Sequence, residues 1–369
     1  MMSFRSVIST SSSNAETQQA ANSNADQYRE IGQGSVGKIF EHPGTTRCYK
    51  LPLLKNSDKL YNNYIMQTQV QAAFDSVAKT VPDVAVQVSI PRAFWWANKD
   101  TASFWDDNID RFAWESDLAK GRMDVLCMER IFPVPQPLRN LLIQKYCRPE
   151  DRETAKANPK NKHCLVRPML GRSAHRMSSL PLNLRNFPMT VDRFEELGLP
   201  AEEYTTAMAD AMAVLHWNAK LDGLDIEFVL GSSPTLEQEV RRPLTYEDIK
   251  SLPQGASTFE MVTNPAAVFK KRIMSLWMID FDSCSAITVD AAGVKKAVKT
   301  FMETYAYCPR PSKGGTFRQN LWVRFGRRYI DTSQKFLSGR DKDLPKDFLE
   351  GVTSNVNANR ARERTDSAP

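Results

Sequence analysis

The stretch that most constrains the fold of this chain is residues 211–231. It begins as an apolar helix, passes through a short loop that contains Asp222, and continues after Glu227 as the apolar run Phe-Val-Leu. A helix and a strand that are both apolar belong to a buried core, so the loop between them lies at the edge of that core. A single carboxylate in such a loop is most often a turn or cap residue, and other motifs must decide its role.

A second acidic motif follows the buried strand-like run at residues 276–279. This run delivers Asp280 and, after Phe281, Asp282 at its end. Mg²⁺ prefers a few hard oxygens together with substrate phosphates to a full protein cage. Carboxylates in this position can therefore hold Mg²⁺ against the phosphates of a nucleotide.

Near the start of the chain, Gly32, Gly34 and Gly37 match the pattern G-x-G-x-x-G, and Lys50 follows the last glycine in a strand-like run. Alone, such a match is most often a structural turn. A dinucleotide fold needs a helix after the glycines, whereas a strand-like run follows here. A hairpin whose backbone N–H groups close over phosphates fits this order better, with Lys50 reaching the same phosphates. Taken by itself, Lys50 is equally well explained as a solubilising lysine of an edge strand.

The order of these motifs is that of protein kinases, including the spacing from Asp222 to Glu227. The chain resembles a fungal, kinase-like family of unknown function whose members often carry the name "zinc finger protein", and more distantly protein kinases and the aminoglycoside and choline type of phosphotransferase. The resemblance covers about residues 28–336. Its most specific stretches are residues 215–217, 225–231, 278–282 and 307–311.

The resemblance implies an α+β, two-lobed, protein-kinase-like fold. We expect a leader at residues 1–27, a small antiparallel-sheet N-lobe with one helix at 28–130, a mostly helical C-lobe at 131–340 and a polar tail at 341–369. Two polar, weakly periodic stretches, about 148–188 and 232–271, are predicted to be long inserted loops.

The resemblance also implies ATP and Mg²⁺ as cofactors and assigns roles to individual residues. Lys50 and Asp222 would be catalytic, with Asp222 orienting an acceptor hydroxyl. Glu227 and Asp280 would bind the metal. The cofactor would be bound by Gly32, Gly34, Gly37 and Lys50.

Several positions depart from an active protein kinase. Kinases orient the strand lysine with a glutamate on the N-lobe helix, but no glutamate occurs between Pro52 and Pro91. The helix offers Gln67, Gln69 and Gln71 instead, with Gln71 where an acid is expected. Glu227 stands where kinases carry asparagine, and no A-P-E sequence follows Asp282.

A structural zinc site needs four ligands at compact spacing. The four histidines and six cysteines form no such cluster in the sequence, and only His163 and Cys164 are adjacent. We expect no structural zinc. The cysteines are scattered without C-x-x-C pairs, which is typical of reduced thiols inside cells.

Charge and hydropathy limit the classes of partner that the chain can have. A net charge of +6 is a mild excess, and the separated basic clusters match no nucleic-acid module, so nucleic-acid binding is not favoured. No apolar run reaches the roughly 18 residues of a membrane helix, and the first residues lack a hydrophobic signal core. We expect an intracellular protein, cytoplasmic or nuclear, with unidentified protein partners.

Three interpretations follow from the sequence. The first is a pseudokinase, or nucleotide-binding interaction module. The second is an active ATP- and Mg²⁺-dependent phosphotransferase on an unknown acceptor. The third is a basic protein associated with nucleic acid.

Overall fold

The computed structural model describes residues 27–43, 45–53, 56–81, 84, 86–114, 120–174, 182–234, 272–304, 306–312 and 315–366. The predicted leader, up to residue 26, and nearly all of the predicted insertion at 232–271 lie outside these residues. Within them the chain is α+β, with two five-stranded sheets.

The first sheet is antiparallel and comes from the N-terminal third of the chain. Its strands lie in the order β1-β2-β3-β6-β5. They are β1 (Arg29–Gln33), β2 (Gly37–Glu41), β3 (Arg47–Pro52), β5 (Ala93–Ala97) and β6 (Val125–Glu129), with helix α1 (Ser57–Thr80) after β3 and the short α2 (Ala102–Asn108) after β5. The region has the small antiparallel sheet expected there, but two helices where one was expected, because the short α2 follows β5.

Helix α1 contacts the first sheet and joins it to the main core. Its buried stripe recurs every three or four residues and includes two amides: Leu60, Asn63, Gln67, Val70, Phe74 and Val77. The last three belong to the core of the second half of the chain. A separate, aromatic-rich core that includes Tyr28, Tyr49, Trp105 and Phe112 also packs on the first sheet.

The second sheet has the order β4-β10-β9-β7-β8. Its strands are β4 (Val88–Ser89), β7 (Val166–Met169), β8 (Phe187–Thr190), β9 (Glu227–Pro234) and β10 (Arg272–Ile279). Strands β9 and β10 are antiparallel, and Glu227 pairs with Ile279 at one end of the ladder. Because of this register, Glu227 lies beside the residue that precedes Asp280.

The helices of the second half are α3 (Gln136–Tyr146), α4 (Arg152–Ala157), α5 (Val191–Glu196), α6 (Ala201–Ala213), α7 (Ala291–Glu303), α8 (Thr316–Ser333) and α9 (Leu344–Asp366). Helix α6 packs against α8, and α7 against α9. A π-helical turn, Val214–Asn218, continues α6 toward the loop that contains Asp222. Such turns are frequent near functional sites.

Two expectations from the sequence were wrong. The segment 148–188 is not a long loop: it contains α4, β7 and the start of β8, and Cys164, Val166 and Met169 from it are buried. The stretch after residue 341 is not a solvated tail. It forms α9, whose Phe348 and Val352 are fully buried, because a few apolar residues at helical spacing suffice to dock an otherwise polar helix.

None of the helices described is long and apolar enough to cross a membrane.

Candidate functional site

A cavity of about 370 Å³ lies between the two sheets. The β1–β2 hairpin, β3, the end of β6, helix α1 and the facing ends of β9 and β10 all contribute to it. One part of the wall is apolar and another is charged. The apolar residues include Ile31, Ile39, Met128, Ile131, Leu165 and Ile279, and the charged ones are Lys50, Glu129, Arg167, Arg185, Asp225, Glu227 and Asp280.

The structure brings most of the predicted site residues to this one cavity. Lys50, Glu227 and Asp280 line it, and so do Gly32, Gly34 and Gly37 of the hairpin. Gly37 is required by close packing, because a Cβ there would lie 2.4 Å from the carbonyl oxygen of Leu51. A Cβ on Gly34 would meet nothing closer than 4.0 Å.

Lys50 projects from β3 and is held by three acceptors. Its Nζ lies 2.8 Å from Asp280 Oδ1, 3.0 Å from Asn63 Oδ1 and 3.4 Å from Asp282 Oδ2. Burial would lower the pKa of Lys50, but the two aspartates outweigh it and the pKa is raised. An ammonium group has three N–H donors, so all of those of Lys50 are engaged.

Asn63 is the residue of α1 that meets Lys50, and the sequence analysis missed it. Asn63 in turn donates to Gln67 Oε1 at 2.8 Å, and Gln67 donates to the carbonyl oxygen of Pro91. Gln71, where an acid was expected, does not line the cavity. The prediction that Gln71 takes the place of the kinase glutamate was therefore wrong. Asn63 and Gln67 are four residues apart and belong to the buried stripe of α1, so they lie on the side of the helix that faces Lys50.

Two further amides tie α1 to the second half of the chain. Asn62 Nδ2 donates to the carbonyl oxygens of Asp282 and Cys284, at 2.9 and 3.0 Å. Gln69 Nε2 donates to the carbonyl oxygen of Ala219 at 2.7 Å. These bonds fix the position of the helix relative to both acidic loops.

Asp280 follows β10 with a left-handed backbone, φ 67°. Burial would raise the pKa of this carboxyl, but Lys50 outweighs burial and holds the pKa below its usual range. The neighbouring Asp282 behaves in the opposite way: burial raises its pKa to about 6, and the charge of Asp280 adds to the rise.

Glu227 pairs with Arg167 of β7, with 2.7 Å between Oε2 and Nη2. Burial raises the pKa of Glu227 to about 7; Asp280 and Asp225 add to the rise, and Arg167 opposes it. Each of the two predicted metal ligands is therefore already paired with a cation of the protein, Asp280 with Lys50 and Glu227 with Arg167.

Asp222, predicted as the catalytic residue, does not line the cavity. It is 1% exposed, and its oxygens accept bonds from the backbone N–H and the hydroxyl of Ser285, at 2.9 and 2.7 Å. Lys296 lies 3.4 Å away. The strand-like bridge between Leu221 and Ala286 brings Ser285 onto this carboxylate, so Asp222 joins two loops and is not available to a ligand.

Asp225 occupies the cavity position that had been assigned to Asp222. Burial raises its pKa, and the charge of Asp280 adds to the rise. Motif spacing had favoured Asp222, five residues before Glu227. The only sequence signal for Asp225 was a second acid in the same loop.

Backbone strain is concentrated at the cavity. Four non-glycine residues in the described part of the chain have positive φ, and three of them, Asn186, Asp225 and Asp280, line the cavity. Residues held in sparsely populated backbone regions cluster at functional sites. This observation locates a functional site independently of any motif.

The segment predicted to be an inserted loop supplies one wall of the cavity. His163, Leu165, Arg167, Arg185 and Asn186 all come from it. Both terminal nitrogens of Arg185 lie 3.4 Å from Glu30 of β1, and Glu30 also binds Lys38 at 3.0 Å. Nothing in the sequence indicated these residues, because their segment is polar and weakly periodic.

Comparisons with known proteins give one finding. A protein-family model described as "Zinc finger protein" matches residues 276–341, a minor part of the chain that includes the end of β10, Asp280, α7 and the whole of α8. This agrees with the name carried by the family that the sequence resembles. No curated protein and no solved structure matches the chain.

The matched residues do not fit a zinc site. They contain Cys284 and Cys308 and no histidine. Burial raises the pKa of both thiols, that of Cys308 to about 12, whereas a zinc ligand is a thiolate. Across the described residues, no group of three or more His, Cys, Asp or Glu side chains is arranged to hold a metal ion.

Proposed function

We propose that this chain is a kinase-like protein that binds a nucleotide in the cavity between its two sheets and acts as a pseudokinase, through binding and not through phosphoryl transfer. One observation carries the proposal. Lys50, on the third strand of an antiparallel sheet, pairs at 2.8 Å with Asp280, which follows a buried strand, and both lie at the cavity beneath a glycine hairpin. In kinases, the lysine of the third strand and the aspartate that follows a buried strand act on one nucleotide with its magnesium ions.

The apolar part of the cavity supports a planar ring as the ligand. Ile31 and Ile39 come from the glycine hairpin, and Leu165 and Ile279 from the second sheet. Most small-molecule sites are apolar clefts with a few convergent polar groups, and a base between two apolar walls fits that description. The charged part of the same cavity suits the phosphates.

The polar contacts argue against catalysis. Lys50 is oriented by the neutral amide of Asn63, and all of its donors are already used. Phosphoryl transfer depends on positioned charges, and an amide supplies none. A Mg²⁺ ion would require Asp280 and Glu227 to exchange Lys50 and Arg167 for the metal, so the arrangement of these residues does not fit the ion.

Nucleotide binding is tested by thermal stability with and without adenosine, ADP and ATP. A ligand at 100 times its Kd stabilises a fold by about 2.7 kcal/mol. We expect the nucleotides to stabilise the parent. They should also stabilise the control Ile65→Arg, a substitution at an exposed position of α1. They should not stabilise Ile39→Arg, because the arginine side chain would occupy the apolar side of the cavity. No stabilisation of the parent by any of the three compounds would reject the proposal.

An active phosphotransferase is the second candidate, and Asp225 is the observation that favours it. This carboxylate lines the cavity and has a raised pKa, as a group that takes a proton from an acceptor hydroxyl requires. Phosphate transfer from ATP to cell extract by the parent, lost in Asp225→Asn, would favour the enzyme. Absence of transfer in both proteins, with nucleotide still bound, favours the pseudokinase.

A further inference from the structure

Two arginines of the cavity keep hydrogen-bond donors that Lys50 lacks. Arg167 donates from Nη2 to Glu227, and its Nε has no acceptor among the described residues. Arg185 contacts Glu30 through its two terminal nitrogens, and its Nε likewise has none in the described part of the chain. Both Nε atoms are buried, but a guanidinium has five N–H donors, and the contacts to Glu227 and Glu30 use only some of those on the terminal nitrogens. Each side chain therefore keeps terminal N–H groups for an anion.

The geometry of Lys50 makes it a poor phosphate ligand. Each of its three donors already has an acceptor, and two of these acceptors are carboxylates. To bind a phosphate oxygen, the amine would have to abandon Asn63 or one aspartate. An unpaired buried carboxylate costs free energy and would repel the phosphate that replaced it.

Both arginines stand on secondary structure that holds them at the cavity. Arg167 lies in β7, which pairs with β8. Arg185 comes just before β8, and the left-handed Asn186 (φ 57°) separates it from that strand. Arg167 and Arg185 are 21% and 19% exposed, so they are shielded from bulk water yet reachable from the cavity.

We propose, building on nucleotide binding as the function of the cavity, that Arg167 and Arg185 are its phosphate-binding residues, and that they do so without a divalent ion. One guanidinium group can donate two parallel hydrogen bonds to two oxygens of a phosphate, and it remains charged at all relevant pH values. Lys50 then serves as a positioning residue that holds Asp280, Asp282 and α1 together. The ligand class is a nucleoside di- or triphosphate free of metal.

The test compares adenosine, ADP and inorganic pyrophosphate by isothermal titration calorimetry, in EDTA and in Mg²⁺. Arg167→Gln/Glu227→Gln removes one ion pair as a unit, so that no carboxylate is left unpaired, and Arg185→Gln removes the second arginine. Lys50→Met/Asp280→Asn removes the closer of the two Lys50 ion pairs and leaves Asp282, whose pKa is already raised to about 6, without its cation. Arg148→Gln, a surface arginine of the same segment, is the control.

We expect the parent to bind ADP more tightly than adenosine in EDTA, and no more tightly in Mg²⁺ than in EDTA, because Mg²⁺ complexes the phosphates in solution. Each arginine variant should weaken ADP and pyrophosphate by about tenfold or more and leave adenosine unchanged, because a charge-assisted hydrogen bond is lost. The control should bind all three compounds as the parent does. The Lys50 double variant alters the position of α1 and of the acidic residues, so it should weaken adenosine and ADP by the same factor and leave their ratio unchanged.

The outcomes separate this inference from the proposed function. If adenosine and ADP bind but the phosphate preference depends on Lys50 and Asp280, or on Mg²⁺, and not on the arginines, the inference is overturned and nucleotide binding stands. If pyrophosphate binds through the arginines and no nucleoside binds, the anion site is supported and nucleotide binding fails. If nothing binds to the parent, both are overturned.

Discussion

Lys50 donates a hydrogen bond to the side-chain oxygen of Asn63, 3.0 Å from its Nζ, where an active kinase has a carboxylate. The contact gives α1 a neutral anchor, which Gln67 extends to the backbone at Pro91. The polar contacts of the helix at Lys50 thus come from amides, and the charge of Lys50 is left to the two aspartates.

Asn63→Leu should destabilise the protein by about 1–3 kcal/mol, because it leaves a donor of Lys50 and an acceptor on Gln67 without partners in a buried site. Gln71→Leu, on the same helix but away from the cavity, is the matched control and should change little. Urea unfolding at neutral pH measures both. Equal effects of the two substitutions would show that the amide chain does not anchor the helix.

Lys50→Met should cost about 2–3 kcal/mol at pH 7, somewhat less than a fully buried pair, because Asp280 is 26% exposed. In the parent, Lys50 holds the pKa of Asp280 low, so the stability it contributes is present at neutral pH and is lost as pH falls through the folded-state pKa. In the variant, burial raises that pKa and the carboxyl takes up a proton more readily. The difference in urea midpoint between the two proteins should therefore shrink as the pH is lowered from 7 toward the ordinary aspartate pKa of 3.8. A constant difference would contradict the pairing, and Lys50→Met/Asp280→Asn should recover part of the loss.

Gly37→Ala should destabilise the hairpin by about 1–3 kcal/mol, because the added Cβ would lie 2.4 Å from the Leu51 carbonyl oxygen and β2 would have to shift from β3. Gly34→Ala has open space and should be close to neutral. Thermal melts of the two variants make the comparison. Tolerance of alanine at both positions would mean that β2 and β3 pack less closely than described.

Because His216 is buried, we expect the free energy of unfolding to fall in acid. Burial lowers its pKa to about 4, from an ordinary value near 6.5, with Asp222 opposing the shift. Because the unfolded chain takes up the proton first, stability is full above pH 6.5 and falls toward pH 4, by about 2–3 kcal/mol at pH 4.5. His216→Asn should flatten that part of the unfolding free energy against pH. His42→Asn should flatten it less, because burial and Arg111 also lower the pKa of His42 but the site is less buried. A parent curve that stays level from pH 7 to pH 4.5 would refute the assignment.

Phe348→Ala should cost about 3–5 kcal/mol. Its ring packs against His216, Phe301 and Tyr329, with centroids 5.0–5.3 Å apart, so the last helix completes the core. Phe94→Ala removes the same side chain from an exposed position and should cost far less. Similar losses of stability in chemical denaturation would restore the interpretation of this region as a tail.

The order of motifs along the chain predicts that the glycine hairpin, Lys50, Glu227 and Asp280 share a site. They do line one cavity, because each belongs to a strand, or follows one, whose place is set by its apolar pattern. The order of motifs could not show that Asp225 lines the cavity and Asp222 does not. The position of Asp222 depends on Ser285, which reaches it only through a bridge between distant loops. Nor could periodicity identify Asn63, an amide in a stripe that pattern analysis expects to be apolar, or the cavity wall formed by β7 and β8. The last helix was missed because its docking rests on few apolar residues.

The contact between Arg185 and Glu30 joins the glycine hairpin to the opposite wall of the cavity. The two charges lie on opposite walls, so any change in the spacing between the hairpin and the second sheet also changes the distance between them. Their attraction therefore favours the closed spacing of the two walls. Since both side chains are only partly shielded from solvent, high ionic strength would weaken this attraction.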